Sequence, residues 1–323
     1  MFLSGSVETR CDGNGFWQHV VSAEADAHAR AVLAKATREN FPVAPRFLPR
    51  EWRADLMALY GFARLVDDIG DGDLAPGGRD ATYLGLEPDW GSEPGADRLL
   101  MLDAFEAELH RVFDRSGPAP RHPLLRSLVP TVRRRGLTPE PFLALVEANR
   151  QDQKVRRYTG FGELLHYCEL SANPVGRLVL AVTDTASPER IRQSDDVCTA
   201  LQIIEHLQDV AEDLRRDRVY LPAEDMIRFG VTEEDLAAPR AGEPLRALLA
   251  FEAERARLLL MAGDPLVAGV HGRLKLLLAG FTGGGRAALR AMARAGYDVL
   301  PGPPRATTRG LLREVVATLR REG

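Results

Sequence analysis

The chain has 323 residues, with 42 Lys and Arg against 46 Asp and Glu, and its formal net charge of −4 gives no global field that would draw nucleic acid. Its apolar share of 45% is enough for a sizeable core, and no apolar run approaches the ~20 residues that cross a bilayer. The three cysteines, Cys11, Cys168 and Cys198, show neither metal-ligand spacing nor a paired framework, and the polar start "MFLSGSVETRCDG" lacks an apolar signal core, so a cytoplasmic protein is expected.

In chain order, apolar residues recur near every 3.6 positions and strand alternation is scarce. Residues 1–20 read as a flexible N-terminal segment, and 21–323 as one all-α domain. "ADAHARAVLAKATREN" is a helix that stops before "FPVAP", and "PREWRADLMALYGFARLVDDIGD" is a longer one that starts near Pro49. Residues 72–97, rich in Gly, Pro and Asp, read as a long loop. "RLLMLDAFEAELHRVF" is helical, and further helices are expected over roughly 136–157, 160–184, 187–217, 242–263 and 265–296. "GYDVLPGPPRATTRG" is irregular, and the amphipathic tail "LLREVVATLRREG" closes the chain.

Two stretches put like charges where a helix brings them together. In "YGFARLVDDIGD", Tyr60, Arg64, Asp67, Asp68 and Asp71 fall within an arc of about 100°, opposite an apolar face. In "LQIIEHLQDVAEDLRRDRVYLP", Gln202, Glu205, Asp209 and Asp213 share about 80° of a helix that is otherwise mostly apolar. Like charges four apart cost about 0.2–0.5 kcal/mol per pair. A solvated surface explains the first set well enough. It explains the second less well, because carboxylates on a largely apolar helix need partners. Glu212 and Arg216 form a favourable four-apart pair, which leaves Asp209 and Asp213 unpaired along the helix.

A hard divalent cation answers both sets. Mg²⁺ takes oxygen ligands and is commonly held by one or two carboxylates together with substrate phosphates. Two facing helices of this kind could grip one diphosphate through Mg²⁺, with Arg64, Arg218 and Tyr220 as donors to its oxygens. A diphosphate leaving group inside an apolar helical bundle implies carbocation chemistry.

These residues resemble the squalene/phytoene synthase family of head-to-head isoprenoid synthases, over roughly residues 38–305. The first stretch is similar to the family's first aspartate-rich motif (Tyr60, Arg64, Asp67, Asp68, Asp71) and the second to its other one (Gln202, Asp209, Asp213, Arg218, Tyr220). "YCELSANPVGRLVL" resembles the helix that lines the prenyl channel, with Tyr167, Ala172, Val175 and Gly176 at matching positions; Asp152 and Phe41 also fall at family positions. The resemblance implies an all-helical isoprenoid synthase bundle around a central apolar cavity. It further implies Mg²⁺ held by Asp67, Asp68, Asp71, Asp209 and Asp213, with Glu205 a weaker ligand.

"ENFPVAPRFLP" and "YCELSANPVGRLVL" look most like the hydroxysqualene synthase branch of bacterial squalene and hopanoid pathways. That branch implies ionisation of presqualene diphosphate and capture of the rearranged cation by water. Glu205 stands where condensing members carry Asn, and "TREN" where they carry a serine-containing motif, so the expected site serves one diphosphate substrate. No dinucleotide fingerprint follows a strand, which disfavours a reductive reaction. The rivals are a condensing synthase acting on farnesyl diphosphate or a longer prenyl diphosphate, and a non-catalytic helical binding module.

Each role has a plainer counterpart. Arg64 could simply pair with Asp67. Tyr60, Tyr167, Tyr220 and Phe41 could be core aromatics, and Ala172 and Gly176 could serve close helix packing. His166 and His206 read as satisfied helix histidines before they read as bases that activate water. "FTGGGRAAL" reads as a helix start, because it lacks the lysine and strand of a phosphate-binding loop. The basic amphipathic tail either docks on the bundle or touches anionic lipid, and an apolar product suits release into a membrane or hand-off to a pathway enzyme.

Overall fold

The computed structural model describes residues 32–37, 43–74, 79–87 and 98–321. Phe41 and the N-terminal segment assigned to residues 1–20 lie outside the described residues. Among the described residues the regular elements are helices and none is a strand; a lone parallel bridge joins Arg157 to Val219.

Helix α1 (Arg50–Asp71) is the long helix expected from its apolar period, and Gly72 ends it at φ 75°. Its buried face, which includes Leu59, Phe62, Leu65, Val66 and Ile69, enters the first of two core clusters. Phe62 sits 5.5 Å from the Phe105 ring and 5.0 Å, edge-on, from Phe142. Those partners come from α3 (Arg98–Phe113) and α5 (Glu140–Lys154), and α4 (Pro123–Arg135) contributes Leu124, Leu125 and Leu128. The stretch 72–97 is not all loop, since it contains the short helix α2 (Arg79–Leu84). That helix is pinned by buried Asp80, whose carboxylate lies 3.0 Å from His122 Nε2. The signal was hidden because its partner stands 42 positions away.

Two expected helices split. The segment 160–184 divides into α6 (Phe161–Ser171) and α7 (Asn173–Val182), with Pro174 removing a backbone donor at the junction. The segment 187–217 divides into α8 (Pro188–Gln208) and α9 (Val210–Arg215), and the break falls on Asp209 itself, at φ −104° and ψ 15°. The chain then forms α10 (Ala223–Phe229), α11 (Glu233–Leu236) and α12 (Glu243–Ala262), followed by α13 (Asp264–Ala268), α14 (Gly272–Arg294) and α15 (Thr308–Arg321). The second core cluster joins α6, α8, α9 and α12 around Tyr158, Tyr167, Ile203, Leu207 and Tyr220.

The triple glycine is not a helix start: it lies inside α14. A Cβ on Gly283 would come within 2.9 Å of the Val315 backbone, so the missing side chain is what lets α15 lie close. Buried Glu314 on α15 pairs with Arg290, and buried Thr318 accepts a 2.7 Å bond from Arg286. The basic tail thus docks on the bundle, as the plainer of its two readings has it. No helix among the described residues is long and apolar enough to cross a membrane.

Two of the glycines inside α14, Gly283 and Gly280, make opposite predictions. Gly283→Ala should lower the melting temperature by about 2–4 °C, because overpacking of order 1–3 kcal/mol exceeds the ~1 kcal/mol helix gain. Gly280→Ala, where a Cβ meets nothing within 4 Å, should raise it. Thermal melts of both variants check this.

Candidate active site

The local folding that assembles the site is a backbone pairing between two connections. The segment after α5 runs beside the segment after α9: Val219 N donates to Arg156 O at 2.9 Å and Ala223 N to Tyr158 O at 2.9 Å. Asp217, in the left-handed region at φ 59°, makes the turn that permits it. Arg157 fastens the turn, bonding Asp217 at 3.0 Å and Glu233 at 2.6 Å. The pairing carries "RVYLP" alongside the helix that bears Asp152.

Asp152, 7% exposed, accepts from Tyr167 at 2.8 Å and from Tyr220 at 3.0 Å, one hydroxyl on each oxygen. Burial raises its pKa, and the Arg218 charge and the two hydroxyls work against that rise. The Tyr220 ring stacks on His206, with centroids 3.7 Å apart, and lies 5.6 Å from the Tyr158 ring. Tyr167 is 5.5 Å from Tyr220 and 6.1 Å from His206. Burial pushes the hydroxyls of Tyr158, Tyr167 and Tyr220 up, so all three stay protonated. The result is a cluster of ring faces around one buried carboxylate. His206 Nε2 is also 3.1 Å from Gln202, and its Nδ1 is 3.7 Å from Asp213. His206 is thereby a satisfied helix histidine, and exposed His166 is paired with Glu169 at 3.0 Å.

The three acids of α1 have separate environments. Asp68, 2% exposed, accepts from Arg64 Nε at 2.9 Å and from Lys35 at 2.7 Å. Arg64 therefore pairs with Asp68, not with Asp67. Asp67 accepts a 3.2 Å bond from Asn149 on α5. Asp67 is exposed to solvent, yet the protein packed around it, and then the charge of Asp71, push its pKa up to about 7 against the Asn149 bond. Asp71 accepts from Arg218 on one oxygen at 2.8 Å and faces Arg216 on the other at 2.9 Å. Arg216 and Arg218 follow Asp213 in sequence, so these contacts tie α1 to the end of the second acidic stretch.

On the second stretch, half-buried Asp209 is pushed up to about 6 by burial and then by the charges of Asp213 and Glu212. Glu205 is exposed, one helical turn before Asp209, and Gln202 and Asp213 are half-buried. Arg218 is 8% exposed; burial opposes its charge, but Asp152 and Asp71 hold it positive, and its Nε is buried without a partner. A small pocket is lined by His206, Asp213, Arg218 and Tyr220, among others. Tyr60 is half-buried on the same face of α1.

The expected channel residues diverge. Val175 is 43% exposed on α7, a helix whose other apolar residues are mostly buried. Ala172 is buried at the junction of α6 and α7. Gly176 serves close packing: a Cβ there would strike Ser194 and Cys198 of α8. Four contributors had gone unassigned to the site. Lys35, Asn149 and Tyr158 act on acids or rings distant in sequence, and Arg216 was hidden by its local pairing with Glu212.

No group of three or more His, Cys, Asp or Glu among the described residues is poised to hold a metal by itself. The donor set nonetheless fits a hard cation. Asp67 and Asp209 are carboxylates whose pKa values are raised by burial and by like charge, and a cation relieves both causes.

A model of squalene/phytoene synthases matches residues 34–311. A hydroxysqualene synthase of Zymomonas mobilis is 35% identical over 236 residues, 72% of this chain and 71% of that protein. A phytoene synthase of Mycobacterium bovis is 30% identical over 227 residues, 69% of this chain and 67% of its own length. The crystal structure of squalene synthase HpnC from Alicyclobacillus acidocaldarius superposes with a TM-score of 0.71 at 37% identity, covering 87% of this chain and 98% of that one.

The raised carboxyls carry a sign. Asp67 keeps its proton more tightly folded than unfolded, so the metal-free protein loses stability as pH rises from about 4 to 7. Asp67→Asn should remove that loss: its melting temperature should exceed wild type by on the order of 2 °C at pH 8, a figure reduced for solvent access, and match it near pH 4. Metal-free thermal melts across pH check the direction.

Proposed function

This chain belongs to the squalene/phytoene synthase family, whose members are enzymes that process prenyl diphosphates, and from that premise we propose that it is a hydroxysqualene synthase acting on presqualene diphosphate with Mg²⁺. The observation that carries the reading is the pairing of Asp71 on α1 with Arg216 and Arg218 at the end of the second acidic stretch. It ties the first acidic stretch to the end of the second, beside the ring cluster around Asp152.

In this reading Asp67, Asp71, Asp209 and Asp213 are the metal ligands, with Glu205 as an outer candidate. Asp68 belongs to the fold, because Arg64 and Lys35 already neutralise it. When bound, Mg²⁺ supplies charge neutralisation for the departing diphosphate. Arg218 donates to the diphosphate through a guanidinium with one buried nitrogen still to satisfy. The carbon–oxygen bond breaks with its electron pair going to diphosphate. The carbocation left behind faces aromatic rings, an attraction of about 0.5–2 kcal/mol per ring. Asp152 fixes the Tyr167 and Tyr220 hydroxyls, so those rings hold one orientation. Tyr60 stands on the diphosphate side of α1, and Val175 offers accessible apolar surface to the prenyl chains. Water then forms the new carbon–oxygen bond and gives up a proton, which leaves hydroxysqualene and diphosphate.

The identity to the hydroxysqualene synthase of Z. mobilis supports the water-capturing branch. Glu205 supports it too, since an added negative charge suits one diphosphate better than two. The similarity to a phytoene synthase favours the second reading, condensation of two prenyl diphosphates.

Product analysis separates them. Presqualene diphosphate with Mg²⁺ should yield hydroxysqualene without NADPH, and farnesyl diphosphate alone should not yield presqualene diphosphate; the reverse pattern rejects the proposal. Asp209→Asn should lower turnover about 100-fold or more, and chelation of the metal should abolish it.

A further inference from the structure

Asp71 is the acid whose environment least suits the ligand role proposed for it. One carboxylate oxygen accepts from Arg218 at 2.8 Å and the other faces Arg216 at 2.9 Å. Both oxygens are thus directed at guanidinium N–H groups, and two positive charges stand where a cation would have to approach. A divalent ion needs the same lone pairs, and it would meet the repulsion of both guanidinium charges as it approached. Asp67, by contrast, accepts its side-chain hydrogen bond from a neutral amide, that of Asn149.

The two arginines are held chiefly by acids. Arg216 is 39% exposed, and besides Asp71 it reaches Asp73 at 3.4 Å and Glu212 at 3.5 Å. Both of those contacts are long, and all three partners are carboxylates. Arg218 keeps a buried, unpartnered Nε. A diphosphate offers several anionic oxygens to replace one carboxylate, and planar guanidinium forks match its geometry.

We propose that Arg216 and Arg218 shield Asp71 from metal until a diphosphate draws them off, and that Arg216 then binds the diphosphate. This rests on the reading of Asp71 as a metal ligand. Metal and diphosphate become mutually dependent: each guanidinium that moves to a phosphate oxygen frees a carboxylate lone pair for the metal, and the coupling is reciprocal. Free metal ion then binds weakly, and the site completes itself only around its substrate's leaving group.

The test compares wild type with Arg216→Gln and Arg216→Lys, each first checked by its melting temperature. Mn²⁺ binding without phosphate is followed by electron paramagnetic resonance, and inorganic diphosphate binding by calorimetry in excess Mg²⁺. Removing the guard should tighten Mn²⁺ binding about fivefold, the upper range for one exposed charge pair. The same change should weaken diphosphate binding about tenfold or more, as expected for a lost charge-assisted hydrogen bond. Arg216→Lys, which keeps the charge but not the fork, should fall between. If wild type shows metal–diphosphate coupling and Arg216→Gln leaves both affinities unchanged, or alters only the melting temperature, Arg216 is a surface tie and the inference fails alone. If wild type binds neither ion, the proposed function fails with it.

Discussion

The structure depends on how the like charges of two acidic stretches are paired. Crowding Asp67, Asp68 and Asp71 onto a single face of α1, and Asp209 with Asp213 on the second stretch, costs free energy that burial increases. The protein meets that cost unevenly. Asp68 is neutralised twice, by Arg64 one turn away and by Lys35 from a distant segment. Asp71 is neutralised by arginines from the end of the second stretch. Asp67 receives an amide hydrogen bond, and the nearest cations only partly offset the repulsion at Asp209. A fold built for stability alone would have completed the pairing. Two acids are left short of positive charge, which is the condition under which a cation would be gained rather than repelled.

The same unevenness sets how the site is walled. The segment carrying Arg218 and Tyr220 is fixed by backbone bonds to the segment after α5, so its side chains cannot choose their neighbours freely. Alternation along that extended stretch sends Arg218 and Tyr220 the same way. Arg218 goes to Asp71 and the Tyr220 hydroxyl to Asp152. Asp152 in turn ties Tyr220 to Tyr167, and the stacked His206 ties Tyr220 to α8. One short pairing of two connections therefore brings a charged donor, Arg218, and aromatic faces, Tyr220 and His206, to the lining of one small pocket. That is the combination of charge and apolar surface that a prenyl diphosphate itself displays.

Much of this was legible in the sequence because it rests on local periodicity. The apolar face of α1 and the acidic arcs follow from the 3.6-residue period, and the all-helical fold with them, while the order of the motifs carried the family resemblance. What the period could not give was anything settled by a distant partner. Asp68 looked like Asp67 and Asp71 until Lys35 and Arg64 claimed it. Arg216 looked like half of a local pair with Glu212, because its contacts to Asp71 and Asp73 span more than 140 positions. Gly176 was ambiguous between lining a channel and admitting a neighbour, and only the nearness of Ser194 and Cys198 decides it. The triple glycine misled for the same reason: weak helix formers read as an end, whereas contact with α15 makes an uncovered backbone useful in mid-helix. The breaks at Ala172 and Asp209 are too small to disturb an apolar period, so the faces were read correctly even where the helices were not continuous.

The break at Asp209 has a consequence for the chemistry. Asp209 closes α8 and opens α9, and its carbonyl still accepts from Glu212 and Asp213 at 2.8 Å, so the helical path is bent but not interrupted. A residue at such a junction meets the C-terminal end of one helix and the N-terminal end of the next, whose partial charges act on an anion in opposite senses. The charge on Asp209 is therefore set by burial, Asp213 and Glu212 on one side and by His206 and Arg216 on the other. An acid held between these influences is one whose charge a modest gain can settle. Asp68, locked in a double ion pair, has no such sensitivity. The division between acids that hold the fold and acids that await a ligand follows from how completely each one is already paired.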